Sequence, residues 1–600
     1  MTTDLYEPNI LNQWQVAWPD ALAVWSQFTR LSDPRLCESS VLAAKEGLNS
    51  SFAMIRLSDQ SVVIDLEAVQ KFDLNDYAVE VLAHEIGHHV LAPATASDHF
   101  RLLARIRRGL PTFEQHAAMI ANLYTDLLIN DRLQRHSGLR MDGIYRRILA
   151  KDPMRKPSLW ALYMRIYEVL WQLDAGALGV QVDDSLFNTH AWLGARLIRV
   201  YANDWLTGGA RFAALILPYL YNDSLEQEQQ QVSALNQMHD TREAGHGSEP
   251  SGLVDYDAEE LDEPLHPSDD PLITGEEDKD TDETPLSNLD KKAVSASAGQ
   301  RREPFEYGEI LRSAGLKLSD HDVAVRYYRE AALPYLIPFP KRIAPQSMEP
   351  QIEGLETWEM GDALDDVDWM QTLSSSPVVV PGVTTVKRQY GLTSGAEPAT
   401  KPVDLDIYID SSGSMPNPQQ RMSYMALAGA VICLSALRSG SRVQATLWSG
   451  KNQFISTPGF VRDEDTLLKI ITGHFGGATA FPIHKLRETF TARTDFDRDC
   501  HILHLSDDGI TTMFDIDELG CGGWDVSRIS LERGRAGGTM ALNLRANWRD
   551  QDNVITNTLK QAESEQDWNI YTVTDLPQLL DFARDFSRKH YGSAKAVKRR

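Results

Sequence analysis

The sequence predicts an α/β protein: a mostly α N-terminal domain and a C-terminal doubly wound parallel sheet, joined by a disordered acidic linker. Three observations predict this. Apolar residues recur at helical spacing between positions 77 and 173. From Pro402 onward, β-branched runs alternate with helical patterns, which is the signature of a parallel sheet with helices on both faces. Between the two, residues 223–304 are rich in Gln, Ser, Asp, Glu and Pro and poor in aromatics, so they bury too little apolar surface to offset the entropy of ordering. A chain of 600 residues is also too long for one core. The expected layout is 1–222 helical domain, 223–304 linker, 305–401 an extension packing on the C-terminal domain, and 402–600 sheet domain.

In the N-terminal part the periodicity marks helices over Tyr77–Leu91, Phe100–Arg107, Phe113–Leu133 and Leu159–Leu173, with a strand around Ser61–Val69. Thr112 followed by Gln115 forms a capping-box pattern at the start of the third helix. The first helix contains His84-Glu85-Ile86-Gly87-His88. Residues four apart share a helix face, so both imidazoles can reach one zinc ion, with Glu85 addressing a water on it. A hydrolytic zinc site needs a third protein ligand and an open position. The helix AAMIANLYTDLLINDRL places Asn122, Asp126 and Asn130 on one face amid apolar residues, where polar groups require partners. Asp126 is the expected third ligand. Asp98, His99 and His116 are weaker candidates, His89 lies about 100° around the helix from His88, and Tyr124 is a candidate oxyanion donor.

In the C-terminal part, VDLDIYID (403–410) is a strand that ends in SSGSM and is followed by a helix over Gln419–Leu437. The strand RVQATLWS, a helix near Thr466–Ile471, the loop HFGGATAF, a further helix and the strand HILHLSDDG complete the pattern. Oxygen-bearing residues gather at the strand ends: Asp410, Ser412 and Ser414, then Thr479, then Asp507 and Asp508.

Composition narrows the function. The net charge of −26 opposes sequence-independent nucleic-acid binding, and Asp255 to Glu283 alone supply −13 of it. Four cysteines without a CxxC pair give neither a disulfide framework nor a thiolate zinc site. There is no signal-like N-terminus and no run of about 18 uncharged apolar residues. A cytoplasmic protein that neither spans a membrane nor binds nucleic acid is expected.

The Asp410-x-Ser412-x-Ser414, Thr479 and Asp507 elements resemble the metal-ion-dependent adhesion site of von Willebrand factor A domains. The resemblance implies magnesium held by Ser412, Ser414 and Thr479 hydroxyls, with Asp410 and Asp507 contributing charge directly or through water, and a protein partner offering an Asp or Glu as the last ligand. Hard oxygen donors suit that ion. SDDG carries one aspartate more than the usual pattern, so either Asp507 or Asp508 can face the ion. HEIGHHVLAP resembles zincin metallopeptidases, with Asp126 in the place of the acidic ligand that gluzincins take from a later helix. With NLYTDLLINDRL and DLDIYIDSSGSM, the layout is similar to a bacterial group that joins a metallopeptidase-like domain to a von Willebrand factor A domain. Such proteins often work beside MoxR-type AAA+ ATPases. No GxxxxGK[ST] loop occurs here, so that ATPase is a separate polypeptide. Two other functions compete with a peptidase: a non-catalytic adaptor with a structural zinc, and an accessory subunit of a metal chelatase, whose subunits share the acidic linker before an A domain but lack HExxH.

Overall fold

A computed structural model of the chain describes residues 10–591, except 50, 58, 152–157, 181–183, 227–251, 258–259, 261–263, 276–300, 340, 344–347, 395–399, 495–496, 518 and 546. The chain is mixed α/β and divides into two compact units, 1–323 and 324–600. No helix among the described residues is long and apolar enough to cross a membrane.

The first unit is built around a small sheet and a bundle of helices. Its strands are β1 (Arg35–Cys37), β2 (Ala53–Arg56) and β3 (Ser61–Asp65), in the order β1-β3-β2. The central β3 pairs parallel to β1 and antiparallel to β2, and all five of its residues are buried. The expected strand over Ser61–Val69 therefore stops at Asp65. There the carboxylate accepts the Ala68 amide hydrogen at 3.1 Å and caps a short helix, Leu66–Lys71, in place of further strand.

Two helices pack on this sheet, α1 (Ile10–Trp25) and α2 (Ala78–Val90), sharing a core with Trp14, Trp18, Ile55, Ile64, Leu82 and Ile86. Trp25 Nε1 donates to Ala83 O at 2.7 Å and ties α1 to α2. The remaining helices are α3 (Ala96–Arg108), α4 (Ala117–Ser137), α5 (Met141–Lys151), α6 (Ser158–Leu170), α7 (Ser185–Val200) and α8 (Trp205–Glu226). Among them α4 is buried nearly all round, polar residues included, as expected of a helix at the centre of a bundle. The expected capping box at its start is not formed. Thr112 sits at φ 69° in a turn, a 3₁₀ turn spans Glu114–His116, and α4 begins at Ala117 without a side-chain cap.

The expected linker is not wholly unpacked. Residues 227–251 and 276–300 lie outside the described residues, but Leu253, Val254 and Ile273 are buried in the first unit. Asp270 accepts from Tyr201 Oη and Arg211 Nε, each at 2.6 Å, and caps the turn Pro271–Thr274. Arg302 pairs with the buried Glu260. Averaged composition conceals a few apolar anchors and acids with preset basic partners, which together offset the ordering cost locally. The start of the expected C-terminal extension likewise belongs to the first unit: α9 (Pro304–Ser313) packs on α3, where Arg107 Nη2 meets Glu309 at 2.6 Å.

The second unit carries a two-stranded ribbon, β4 (Met348–Thr357) and β5 (Val386–Ser394), with a short helix α10 (Trp369–Ser375) in its connection. Then come β6 (Asp404–Asp410), α11 (Tyr424–Arg438), β7 (Val443–Trp448), β8 (Phe454–Ser456), α12 (Glu464–Ile471), α13 (Ile483–Thr491), β9 (Cys500–Ser506), α14 (Gly523–Gly534), β10 (Arg535–Leu542), α15 (Val554–Gln566), β11 (Asn569–Thr572) and α16 (Leu576–Tyr591).

Six of these strands form one sheet in the order β8-β7-β6-β9-β10-β11, parallel except for the β8 edge. Both β6 and β9 are buried along their whole length, as strands covered on both faces must be. Side chains alternate accordingly. Tyr408 and Ile502 enter a cluster with Leu486, Phe490 and Trp568, whereas Ile407 and Leu505 approach Gly429 of α11. With β7 on one flank of β6 and β9 on the other, the loops leaving β6 and β9 diverge and open a crevice at their carboxyl ends.

A Cβ on Gly429 would lie 2.9 Å from Leu505 Cδ1 and 3.1 Å from Ile471 Cγ2. Gly429→Val is therefore expected to lower the stability of this unit by about 1–3 kcal/mol through overpacking. Denaturant unfolding followed by tryptophan fluorescence measures this, and a wild-type midpoint would contradict so close a helix–sheet approach.

Candidate metal centres

In the first unit, α2 presents two histidines one turn apart and α4 presents a carboxylate to both. One ligand atom each from His84, His88 and Asp126 lies within 4.8 Å of the others, and they can hold a metal ion. Asp126 Oδ1 stands 3.6 Å from His84 Nε2 and 3.4 Å from His88 Nε2. Donors about 2 Å from a shared tetrahedral ion are separated by roughly 3.3 Å, so the spacing fits the donor set. The two rings are perpendicular, with centroids 5.0 Å apart. His88, Asp126 and Glu85 are buried, at 0, 3 and 1 % exposure.

Hydrogen bonds on the far side of each ring decide which nitrogen faces the site. His84 Nδ1 lies 2.7 Å from Asn130 Oδ1. The Asn130 amide is oriented by its nitrogen, which donates to Tyr145 Oη and Tyr167 Oη, each at 2.9 Å. Its oxygen is thereby left to accept, so His84 carries its proton on Nδ1 and directs the Nε2 lone pair at Asp126. His88 Nδ1 stands 3.0 Å from the Ala92 carbonyl, with the same consequence. On the carboxylate, Asn122 Nδ2 donates to Asp126 Oδ2 at 3.1 Å, so Oδ1 is the oxygen nearest the imidazoles. The hydroxyl cluster extends to Tyr163, 2.9 Å from Tyr167 Oη. Burial, then neighbouring phenols and the Asp126 charge, push both phenols well above their ordinary pKa, so they remain protonated.

The weaker candidates fall outside this group. His99 is buried, and desolvation, then His88, lowers its pKa to about 4. Asp98 bonds Thr95 and pairs with Arg101 at the start of α3. His116 precedes α4, more than two turns from Asp126, and His89 turns from the group, its pKa lowered by burial. Tyr124 is not positioned as an oxyanion donor. It lies about 200° around α4 from Asp126, with its ring 5.3 Å from Phe212 and its hydroxyl against Gly208. The residues that sequence reasoning missed are Tyr145, Tyr163 and Tyr167. The one available signal was the pair of tyrosines four apart on an apolar helix.

In the second unit β6 ends on Asp410, the loop after it carries Ser412 and Ser414, and the loop after β9 carries Asp507. Ser414 Oγ donates to Asp507 Oδ2 at 2.5 Å and lies 3.0 Å from Ser412 Oγ. Asp410 accepts from the Ser412 amide at 2.8 Å and from Ser506 Oγ at 2.6 Å. The glycine-rich loop docks alongside: the Gly413 amide donates to Gly477 O at 2.8 Å and the Gly476 amide to Ser411 O at 2.9 Å. Thr479 lies beside Asp507, since a Cβ on Gly509 would meet Thr479 Cγ2 and Asp507 Oδ1 together. Burial raises the Asp410 pKa, the serine hydrogen bonds offset part of this, and the Asp507 charge adds to the rise. Two carboxylates and three hydroxyl-bearing residues thus gather in one crevice. Asp507, not Asp508, is the aspartate hydrogen-bonded into it; Asp508 opens a 3₁₀ turn and faces solvent.

No protein-family model and no curated protein matches the chain. Among solved structures, the pilus adhesin SpaC from Lactobacillus rhamnosus GG, in its open conformation, is similar to 34% of this chain at 14% identity and a TM-score of 0.24. A second form of that adhesin matches at 11% identity and 0.23. The match spans about a third of the adhesin's length.

If Asn130 fixes the His84 tautomer, Asn130→Leu should weaken metal binding by roughly 10- to 100-fold, and Asn130→Asp, which keeps an acceptor, should weaken it much less. Chelator competition on the full chain reads both. Equal affinity in all three proteins would remove the role assigned to Asn130.

Proposed function

We propose that this protein is a zinc-dependent metallopeptidase that carries a magnesium-dependent, doubly wound von Willebrand factor A domain for protein binding and works in the cytoplasm with a separate MoxR-type AAA+ ATPase. The observation that carries the enzymatic half is the approach of Asp126 Oδ1 to both His84 and His88 Nε2, with each Nδ1 held by a carbonyl oxygen. Two imidazoles and one carboxylate suit zinc and leave a fourth position. Zinc bound there supplies Lewis acidity toward a water and a peptide carbonyl. Glu85, buried one residue after His84, accepts the proton of the attacking water and returns it to the departing amine. Asn130 and the Ala92 carbonyl hold the two rings in register while the proton moves.

Support for the binding half comes from the Asp410, Ser412, Ser414 and Asp507 hydrogen-bond chain at the carboxyl ends of β6 and β9. These oxygens suit magnesium. Weakly donating hydroxyls would leave the ion able to attract a carboxylate from a partner.

The near-complete burial of Glu85, His88 and Asp126 favours a second reading, in which zinc only fastens α2 to α4. The readings separate at Glu85. Under the enzymatic reading Glu85→Gln retains zinc and the wild-type unfolding midpoint but loses at least about 100-fold in peptide cleavage. Wild-type cleavage by that variant would defeat the enzymatic reading, and so would a wild-type protein with bound zinc that cleaves no peptide in a library. For the second unit, Asp507→Asn should lower magnesium affinity by about tenfold or more, read by calorimetry, with zinc content unchanged. Loss of zinc without any change in magnesium binding would reverse the assignment.

A further inference from the structure

The ribbon β4/β5 is amphipathic with water on both sides. Cross-strand pairs place Pro350 opposite Leu392, Ile352 opposite Tyr390 and Leu355 opposite Arg388. A register shift between Ile352 and Gly354 sets Glu353 out of the alternation, so Leu355 returns to the face of Ile352 although three positions separate them. Toward one end the same face carries Arg388, which pairs with Asp368 at 2.7 Å, and then Thr357 opposite Val386. The opposite face carries Gln351, Glu356, Lys387 and Gln389, and Lys387 pairs there with Glu356 and Asp362.

The apolar face is open: Ile352, Tyr390 and Leu392 are 52, 56 and 68 % exposed. Beside it, α10 is tied to β5 by the Asp368 amide and the Val386 carbonyl at 2.9 Å, and adds the exposed Trp369, Met370 and Leu373. Of 33 large apolar residues exposed in the described chain, 13 fall between Ile352 and Leu392, so the exposure is concentrated on this element. A lone two-stranded ribbon is marginal in water unless another layer packs on it. Apolar patches beyond a few hundred Å² mark contact surfaces.

We propose that this face is covered by the same face of a second copy of the chain, the two ribbons stacking across a two-fold axis. Three features favour a second copy. The cover must be at hand wherever the chain accumulates, because a lone ribbon is marginal in water, and a second copy always is. The face is self-complementary, as an isologous contact requires: it is mostly apolar, its Arg388 cation is already neutralised by Asp368, and Glu356 lies on the far face and Glu353 in the bulge. The area also suffices. The four large apolar residues of the ribbon face and the three of α10 are each 47–82 % exposed, enough for a face-to-face pair to bury on the order of the 1,000 Å² that a specific interface needs. Facing sheets packed about 10 Å apart with interleaved side chains supply that burial.

Light scattering on the size-separated full chain tests this. The wild type should have twice the mass of one chain, falling toward a single chain on dilution. Leu392→Asp and Tyr390→Asp, at positions exposed in the single chain, should each give the single-chain mass while the helical circular dichroism of the two units and the zinc content are retained. Gln389→Asp, on the opposite face, should leave the double mass intact. A wild type of single-chain mass at every concentration would overturn the proposal, and so would a double mass that survives both apolar-face variants. Protection of this face only when a different protein is added would overturn it as well, in favour of that partner.

Discussion

The first unit is organised by the burial of one carboxylate. Asp126 lies in a helix that is surrounded on all sides, where an uncompensated charge would cost several kcal/mol. The structure answers with a donor on one side, Asn122 to Oδ2, while Oδ1 faces the Nε2 atoms of α2 in the group that can hold a metal ion. That requirement fixes how closely α2 and α4 pack. Gly87, between the two histidines, has no side chain where a Cβ would stand 2.5 Å from Ile129 and 2.8 Å from Trp25. Its absence lets the imidazoles reach α4, and the Trp25 bond to Ala83 holds α1 against the same turn. The small sheet and the bundle are thus connected through one helix pair.

The two candidate centres differ in ways that follow from their scaffolds. Packed helices give a dry, rigid site with nitrogen donors whose protons are assigned by amide and carbonyl neighbours, an arrangement suited to a borderline-soft ion. Loops at the ends of parallel strands give a crevice lined by hydroxyls and carboxylates, with fewer constraints and more access to water, suited to a hard ion. Each set of donors is held by backbone geometry and hydrogen bonds. The Gly413–Gly477 contact and the capping of Gly509 by Asp507 fix the loops of the second site in the same sense that Asn130 fixes His84 in the first.

The acidic segment and the ribbon lie where composition is least informative. Asp270 and Glu260 sit in a stretch whose average charge opposes folding, yet each finds a buried or half-buried arginine, and Leu253 and Ile273 fill apolar sites beside them. In the ribbon the balance is reversed, since strand pairing satisfies the backbone while the apolar side chains remain in water. One region of poor composition is ordered by specific partners, and one of good strand composition is left with an uncovered face.

Short-range periodicity was sufficient for much of the chain. Helical spacing located α2, α3, α4 and α6, strand patterns located β6, β7 and β9, and the i, i+4 rule put His84 with His88 and aligned Asn122, Asp126 and Asn130 on one stripe. These features depend on residues within one or two turns of each other, which sequence alone specifies through the fixed pitch of helix and strand. What it did not determine were relations across the chain. The tyrosines that orient Asn130 come from helices 15 to 37 residues away, the basic partners of the acidic segment are brought to it by folding, and Tyr124, a candidate donor in the sequence, packs on Phe212. Only tertiary packing decides which face of a buried helix meets which neighbour, because that choice is made by the fit of whole surfaces and leaves no local period to read.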